Sequence, residues 1–261
     1  MVTYDKNFYA GYQEVSARSG YKVLSMVLDI VKPRSIVDVG CGIGTWLAQA
    51  RTLGVPTTLG LDGDYVDRNQ LLIPEETFLP ADLKQKPNIP ARFFPNGQRF
   101  DLAMSVEVAE HLPAASATAF VQTLTSLSDV VLFSAAIPHQ GGNEHINEQW
   151  PAYWAQKFAD EGYVLLDIVR PKFWKDADVA YYYAQNGFLY VKQQRLEDFP
   201  ALVEHALPVD HWSLACVHPE RWLQAHNPKR VSLRLVLQAA PHAVLQATKR
   251  RVYRLLGRGQ A

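Results

Sequence analysis

Two groups of residues in this sequence have the types and spacing to do chemistry. The first is an acid followed by three alternating glycines, Asp38-Val39-Gly40-Cys41-Gly42-Ile43-Gly44, placed after the apolar run from Ser35 and before a helical pattern that starts at Thr45. Glycine has no Cβ, so such a turn lets a ligand lie directly against the backbone. The carboxylate of Asp38, at the strand end, can accept hydrogen bonds from that ligand directly or through water. The second group is His111, His139 and His145, the last two flanking Gln140-Gly141-Gly142-Asn143-Glu144. Imidazole titrates near neutral pH and is a common proton acceptor when a hydroxyl is to be activated.

The glycine spacing discriminates between ligands. A dinucleotide fingerprint, Gly-x-Gly-x-x-Gly, would place glycine at position 45, where the sequence has Thr, so methyl transfer is favoured over hydride transfer. A glycine turn alone also has a purely structural role in many folds. Asp62, at the end of the next apolar run, follows Gly44 at close to the interval of about 20 residues at which an acid reaches ribose hydroxyls. Asp82, in Ala81-Asp82-Leu83 after a third short run (Thr77–Leu79), can accept from an adenine amino group. Finally, Phe100 to Leu112 carries a strand into a polar bend ending Glu110-His111-Leu112.

With these four motifs in order, Ile36 to Val191 resembles the ubiquinone-type small-molecule branch of the class I S-adenosylmethionine-dependent methyltransferases. The resemblance implies S-adenosyl-L-methionine as cofactor, with Asp38, Gly40, Cys41, Gly42, Asp62, Gly63, Asp82, Leu83, Ser105, Val106 and Glu107 around it. It also implies a Rossmann-like α/β fold: a seven-stranded, mostly parallel sheet with helices on both faces and an antiparallel last strand. Gly63-Asp64-Tyr65 departs from the small-residue sequence common there, which leaves open whether Asp64 shares the ribose.

On the acceptor side, members of this branch carry a histidine before a segment like Asn147-Glu148-Gln149-Trp150, which makes His145 the first choice as base, with His139 and His111 as alternatives. The same histidines and acids could bind a divalent cation that polarises a diol, but no spacing is diagnostic and no resident metal is expected. Tyr182 or Tyr183 with Gln185-Asn186 could face the acceptor pocket and supply hydrogen bonds to a sugar, and the segment resembles a subset associated with bacterial surface-polysaccharide and glycoside modification. The expected reaction is therefore O-methylation of a sugar or polysaccharide hydroxyl. A natural product or quinone-like molecule is the alternative acceptor, and a non-catalytic cofactor-binding subunit the alternative of another class. The aromatic set from Trp150 to Tyr183 suits a carbohydrate platform at some positions and core packing at most.

The elements that must position these residues follow from periodicity. One or two helices over Tyr9–Val31 precede the sheet as a lid. Strands are expected at Ser35–Val39, Thr57–Leu61, Thr77–Leu79, Phe100–Ser105, Val130–Ser134, Val164–Arg170 and Phe188–Lys192, with helices over Thr45–Leu53, Pro113–Leu127 and Pro151–Glu161. The methyltransferase domain spans 1–194, and 195–261 forms a helical C-terminal extension. With 48% hydrophobic and 20% charged residues, the 261-residue chain suits one α/β domain with helical additions.

Met1–Phe8 has no apolar core, and no stretch approaches the roughly 18 apolar residues of a membrane span; a cytoplasmic location is expected. Cys41 and Cys216 are expected as free thiols. All 26 acidic residues precede Lys229, whereas the eight basic residues from Lys229 onward have no acidic neighbour. The acidic body disfavours nucleic acid as a partner, as does the lack of a Pro-Pro-aromatic clamp after the fourth strand. The tail, Val231–Leu256, reads as a cationic amphipathic helix interrupted at Pro241. It suits docking onto a subunit, partial disorder, or peripheral contact with the inner face of a membrane.

Overall fold

The computed structural model describes residues 6–94 and 97–226. A single helix, α1 (Lys6–Val31), leads into β1 (Ser35–Val39), α2 (Thr45–Thr52), β2 (Thr57–Asp62), β3 (Phe78–Pro80) and β4 (Leu102–Val106). Then follow α3 (Ala117–Leu127), β5 (Val130–Ser134), α4 (Pro151–Asp160), β6 (Tyr163–Leu166), α5 (Val169–Phe173), α6 (Tyr181–Asn186), β7 (Phe188–Lys192) and β8 (Ala206–Leu207). All five residues of β1 and all five of β5 are buried, as befits strands covered on both faces.

The strands form one sheet in the order β3-β2-β1-β4-β5-β7-β6-β8. Pairing is parallel from β3 through β5 and antiparallel around β7, on both its sides. One apolar cluster gathers Val23, Leu24 and Val27 of α1 with Trp46 and Leu47 of α2 and Phe173 of α5. A second gathers Phe120 and Leu124 of α3 with Trp154 and Phe158 of α4. The strand order reverses between β1 and β4, and in sheets of this kind ligands sit outside the carboxyl ends of the strands at that point.

Three parts differ from the sequence expectation. The strand foreseen over Val164–Arg170 stops at Leu166 and the chain turns into α5. Arg170, only 6% exposed, directs its Nε and Nη2 at the carboxylate of Asp167, just before the helix, which fastens the start of α5 to the end of β6. The short helix α6 falls in the Tyr181-Tyr182-Tyr183 run, where tyrosines give no helical signal; its end is held by long-range bonds described below. From Gln193 to Ala215 the chain forms 3-10 turns and the two-residue β8 rather than a helical extension. Because β8 pairs antiparallel with β6, the sheet has eight strands among the described residues where seven were expected.

The start of β1 is fastened to the chain before β4. Asp101 Oδ2 accepts from the Arg34 and Ser35 amides at 2.8 and 3.0 Å and from Ser35 Oγ at 3.0 Å. Hydrogen bonds to a charged group contribute about 1.5–3 kcal/mol, so Asp101→Ala is expected to lower the free energy of unfolding in urea by ~1.5–3 kcal/mol. A change within 0.5 kcal/mol, the usual range for surface substitutions, would show that this fastening is dispensable.

Contacts divide the chain into two compact units, Met1–His218 and Pro219–Ala261. The described part of the second is the helix α7 (Pro219–Ala225) with His226. The basic segment Val231–Leu256 lies outside the described residues. Among those described, no helix is long and apolar enough to cross a membrane.

Candidate active site

A cavity of about 840 Å³ opens at the carboxyl ends of β1, β2 and β4. Gly40, Gly42, Asp62, Gly63, Asp82 and Leu83 form one side of it, and Glu107, Val108, His111 and Glu144 contribute to the rest. A smaller cavity of about 350 Å³ shares Gly40 and Gly42 and is lined also by Ser16, Asp38, Cys41, Trp46, Val106 and Tyr183. The glycine turn therefore borders both spaces.

The turn is folded onto β2, with the Gly40 and Cys41 amides donating to Leu61 O at 2.7 and 3.1 Å. Gly40 and Gly42 both have positive φ, 92° and 54°. The sequence expectation was that side chains at both would intrude on the ligand; the two are glycine for different reasons. A Cβ on Gly40 would stand 2.4 Å from Val108 Cγ2, a clash within the protein, whereas one on Gly42 would meet nothing within 4 Å. Gly42 faces open cavity.

Asp62 is 5% exposed and its carboxylate is fixed by three donors at 2.6 Å: the amides of Gly42 and Gly63 and the Tyr65 hydroxyl. Tyr65 was not foreseen. Its ring is 85% exposed, its hydroxyl holds the carboxylate that was expected to meet ribose, and burial of that hydroxyl together with Asp62 pushes its pKa up. Asp64 instead pairs with Arg68 at 2.8 Å.

Asp38 is 4% exposed and makes no hydrogen bond through its carboxylate among the described residues; burial, then the charge of Asp62, holds its pKa well above the ordinary aspartate range. Asp82 is exposed on the cavity wall and accepts from the Lys84 amide. The Cys41 thiol is buried, which pushes its pKa up.

Ser105 was expected around the cofactor. It is fully buried and its hydroxyl donates to Val39 O at 2.7 Å, tying β4 to β1, and it lines neither cavity. Glu107, next but one in the chain, has φ 56° and its carboxylate accepts from Gln140 Nε2 at 2.7 Å and Asn186 Nδ2 at 3.0 Å. Gln185 and Asn186, expected to face an acceptor, are 1% and 2% exposed and brace this carboxylate. Tyr183, also buried, meets Ser16 Oγ at 3.1 Å and the Trp46 ring edge-on at 5.1 Å, which fastens α6 and α1 beside the glycine turn. Trp154 and Phe173 are likewise core residues, whereas Trp150 is 38% exposed.

The three histidines separate. His111 lines the larger cavity. His145 stands behind it, ring centroids 4.8 Å apart and edge-on, with Nδ1 2.9 Å from Glu148 Oε1. Glu148 also accepts from the His139 and Gly141 amides, which shapes the loop around His145. The His139 side chain is exposed and lines neither cavity. Burial and the neighbouring His145 lower the pKa of His111, leaving a neutral ring facing the cavity.

A family model described as a methyltransferase domain matches residues 9–176. The chain belongs to this family. It is an S-adenosylmethionine-dependent methyltransferase of class I, with the expected Rossmann-like sheet. Among curated proteins, a probable chloroplastic tocopherol O-methyltransferase of Oryza sativa subsp. japonica is 34% identical over 90 residues, 31% of this chain. The match spans 23% of the rice protein's length.

Among solved structures, the methyltransferase is similar to magnesium protoporphyrin IX methyltransferase from Synechocystis PCC 6803 with bound cofactor. That likeness has 17% identity and a TM-score of 0.49, over 68% of this chain and 80% of that one. It is also similar to human N-acetylserotonin methyltransferase in complex with the cofactor, at 15% identity and a TM-score of 0.48, over 71% of this chain and 55% of that one.

In the methyltransferase two buried acids, Asp38 and Asp62, stand beside the glycine turn, and ionising both out of water is costly. A cationic ligand is favoured there because it relieves the cost of holding two carboxylates out of water. The cofactor carries positive charge on its sulfonium and its ammonium group. What the acceptor side offers is a neutral imidazole on the same cavity as Gly42.

Proposed function

We propose that this methyltransferase transfers the cofactor's methyl group to a hydroxyl of a sugar or polysaccharide. The observation that carries the reading is that His111, backed by His145, stands on the same cavity as Gly42 and Asp62. In an in-line displacement the acceptor oxygen attacks the methyl carbon from the side opposite sulfur, at about 3–3.5 Å. The O–C bond forms, the C–S bond breaks with its electron pair passing to sulfur, and S-adenosylhomocysteine is released. The hydroxyl proton passes to the histidine pair.

Asp38, Gly40, Gly42, Asp62 and Asp82 hold the donor in this reading. The remaining wall carries the acids Asp64, Glu107 and Glu144, whose carboxylate oxygens can accept further hydrogen bonds from a polyhydroxylated acceptor and none from the face of a flat apolar ring. A phenolic or quinone-like acceptor is the second reading, favoured by the 90-residue match to the rice protein. In either case the acidic body argues against nucleic acid, and the basic tail suits docking to a subunit or to an anionic membrane surface that presents the acceptor.

Mass spectrometry of host glycans with and without the gene, read for one methylene mass, tests the acceptor. Unchanged glycans together with in vitro turnover on phenols would transfer the proposal to the second reading. The donor side has its own test in pH. Because Asp38 titrates above the usual aspartate range, lowering pH through that raised value protonates it and removes its attraction for the cofactor. Affinity for S-adenosylmethionine is expected to fall over that window, and Asp38→Asn to bind weakly with a flatter pH profile. An Asp38→Asn variant that binds as well as wild type would remove Asp38 from the donor site.

A further inference from the structure

Glu110 lies beneath the acceptor side, fully buried, and among the described residues neither of its carboxylate oxygens has a hydrogen-bond partner of good geometry, the backbone amides of Glu110 and Ala136 interacting with it only outside that geometry. A buried carboxylate so short of donors is costly and in folded proteins is normally paired or bound to a metal. Among the described residues no Lys or Arg forms an ion pair with Glu107, Glu110 or Glu148; of the six acids from Asp101 to Trp150, Asp129 is the one so paired, with Arg99 and Arg195. Among the described residues, the Glu148 carboxylate pairs with a titratable nitrogen only at His145.

The positive charge is replaced by ligand atoms. Donor atoms of Glu110, His111 and His145 all lie within 4.8 Å of one another. Around one ion with bonds of about 2.1 Å, donor atoms stand about 3 to 4 Å apart, so the three side chains need to draw in by about an ångström. The His145 ring has the support typical of a metal ligand, since a carboxylate accepts from one ring nitrogen and leaves the other its lone pair. Glu148 meets Nδ1, and Nε2 occupies the space that a Cβ on Gly142 would fill, at 2.2 Å.

We infer that Glu110, His111 and His145 form a binding site for one divalent transition-metal ion at the acceptor end of the cavity. Two imidazole nitrogens and one carboxylate suit Zn²⁺, Mn²⁺, Co²⁺ or Fe²⁺ and not Ca²⁺, which takes oxygen ligands. His111 is exposed to the cavity, so the ion has open positions toward it, where an acceptor hydroxyl can bind. This deepens the proposed function and rests on it for the acceptor's chemistry: an oxygen on the ion loses its proton at lower pH. With the ion bound, His111 and His145 are its ligands and no longer the proton acceptor, so the hydroxyl proton leaves for solvent instead of passing to the histidine pair.

The test uses the full chain, stripped with chelator and dialysed against CoCl₂, ZnCl₂ or MnCl₂ alone. Elemental analysis is expected to give roughly one ion per chain, with Co²⁺ producing d–d absorption bands. Glu110→Gln, a near-isosteric change, and His145→Ala should each cut metal content at least tenfold, while His205→Ala, remote from the cluster, keeps it. Glu148→Gln should retain the site with affinity weakened about 10–100-fold. Circular dichroism establishes that each variant is folded, and His111→Asn replaces any that is not. No stoichiometric uptake of any of the three ions, or uptake that survives in Glu110→Gln, overturns the site. Uptake as expected with no methylation of any hydroxyl acceptor would overturn the acceptor reading and leave the site standing.

Discussion

Gly42→Arg is expected to abolish S-adenosylmethionine binding while leaving the protein folded. A Cβ at this position meets no protein atom within 4 Å, so the new side chain has room, and that room is the cavity itself. A non-glycine residue at φ 54° costs about 1–2 kcal/mol, which a domain of ordinary stability tolerates. The guanidinium would occupy the cofactor's volume and place a cation beside Asp38 and Asp62, neutralising the charge that favours a cationic ligand. Calorimetry should therefore show a loss of affinity beyond about 100-fold, equivalent to ~2.7 kcal/mol.

Gly40→Ala provides the contrast. Its Cβ would stand 2.4 Å from Val108, so the damage should appear first as a stability loss of about 1–3 kcal/mol. Unchanged cofactor affinity in Gly42→Arg would remove the glycine turn from the donor site altogether.

His145→Ala is expected to lower kcat by about 10²–10⁴-fold and leave cofactor affinity within experimental error, because His145 lines neither cavity wall at the glycine turn. The same split is expected from a residue with no chemistry of its own. In Gly142→Ala the added Cβ would sit 2.2 Å from His145 Nε2, so the ring must move, and turnover should fall with it. His139→Ala separates the cluster from the loop: its side chain is exposed and outside both cavities, so the loss should be far smaller than for His145. Equal losses at 139 and 145 would mean that loop shape, not the histidine cluster, sets the rate.

Much of the donor side was legible in the sequence because its causes are local. The five-residue strand Ser35–Val39 carries Asp38 next to its end, glycines at alternate positions permit positive φ, and an acid recurs at the end of the following strand; each depends on neighbours a few residues away. β1, β5 and β7 have the bounds that their apolar runs suggest. The acceptor side was less legible. His111 was ranked below His145, yet it is His111 that faces the cavity, because after the bend at Glu107 the direction of each side chain is set by partners far along the chain. Asn186 holds the Glu107 carboxylate from 79 positions away, and Ile146 and Asn147 donate to Glu110 O.

The turn from Asp38 to Gly44, with Asp62 behind it, fixed the methyl donor and the α/β class from sequence by itself, since backbone conformation and burial period are written in short stretches. Tertiary structure alone decided that Ser105 ties β4 to β1, that Tyr65 holds Asp62, that β8 adds an eighth strand, and that Glu110, His111 and His145 meet. These are contacts between residues whose separation in sequence carries no periodic signal, and only packing of the whole sheet and its loops brings them within reach of one another.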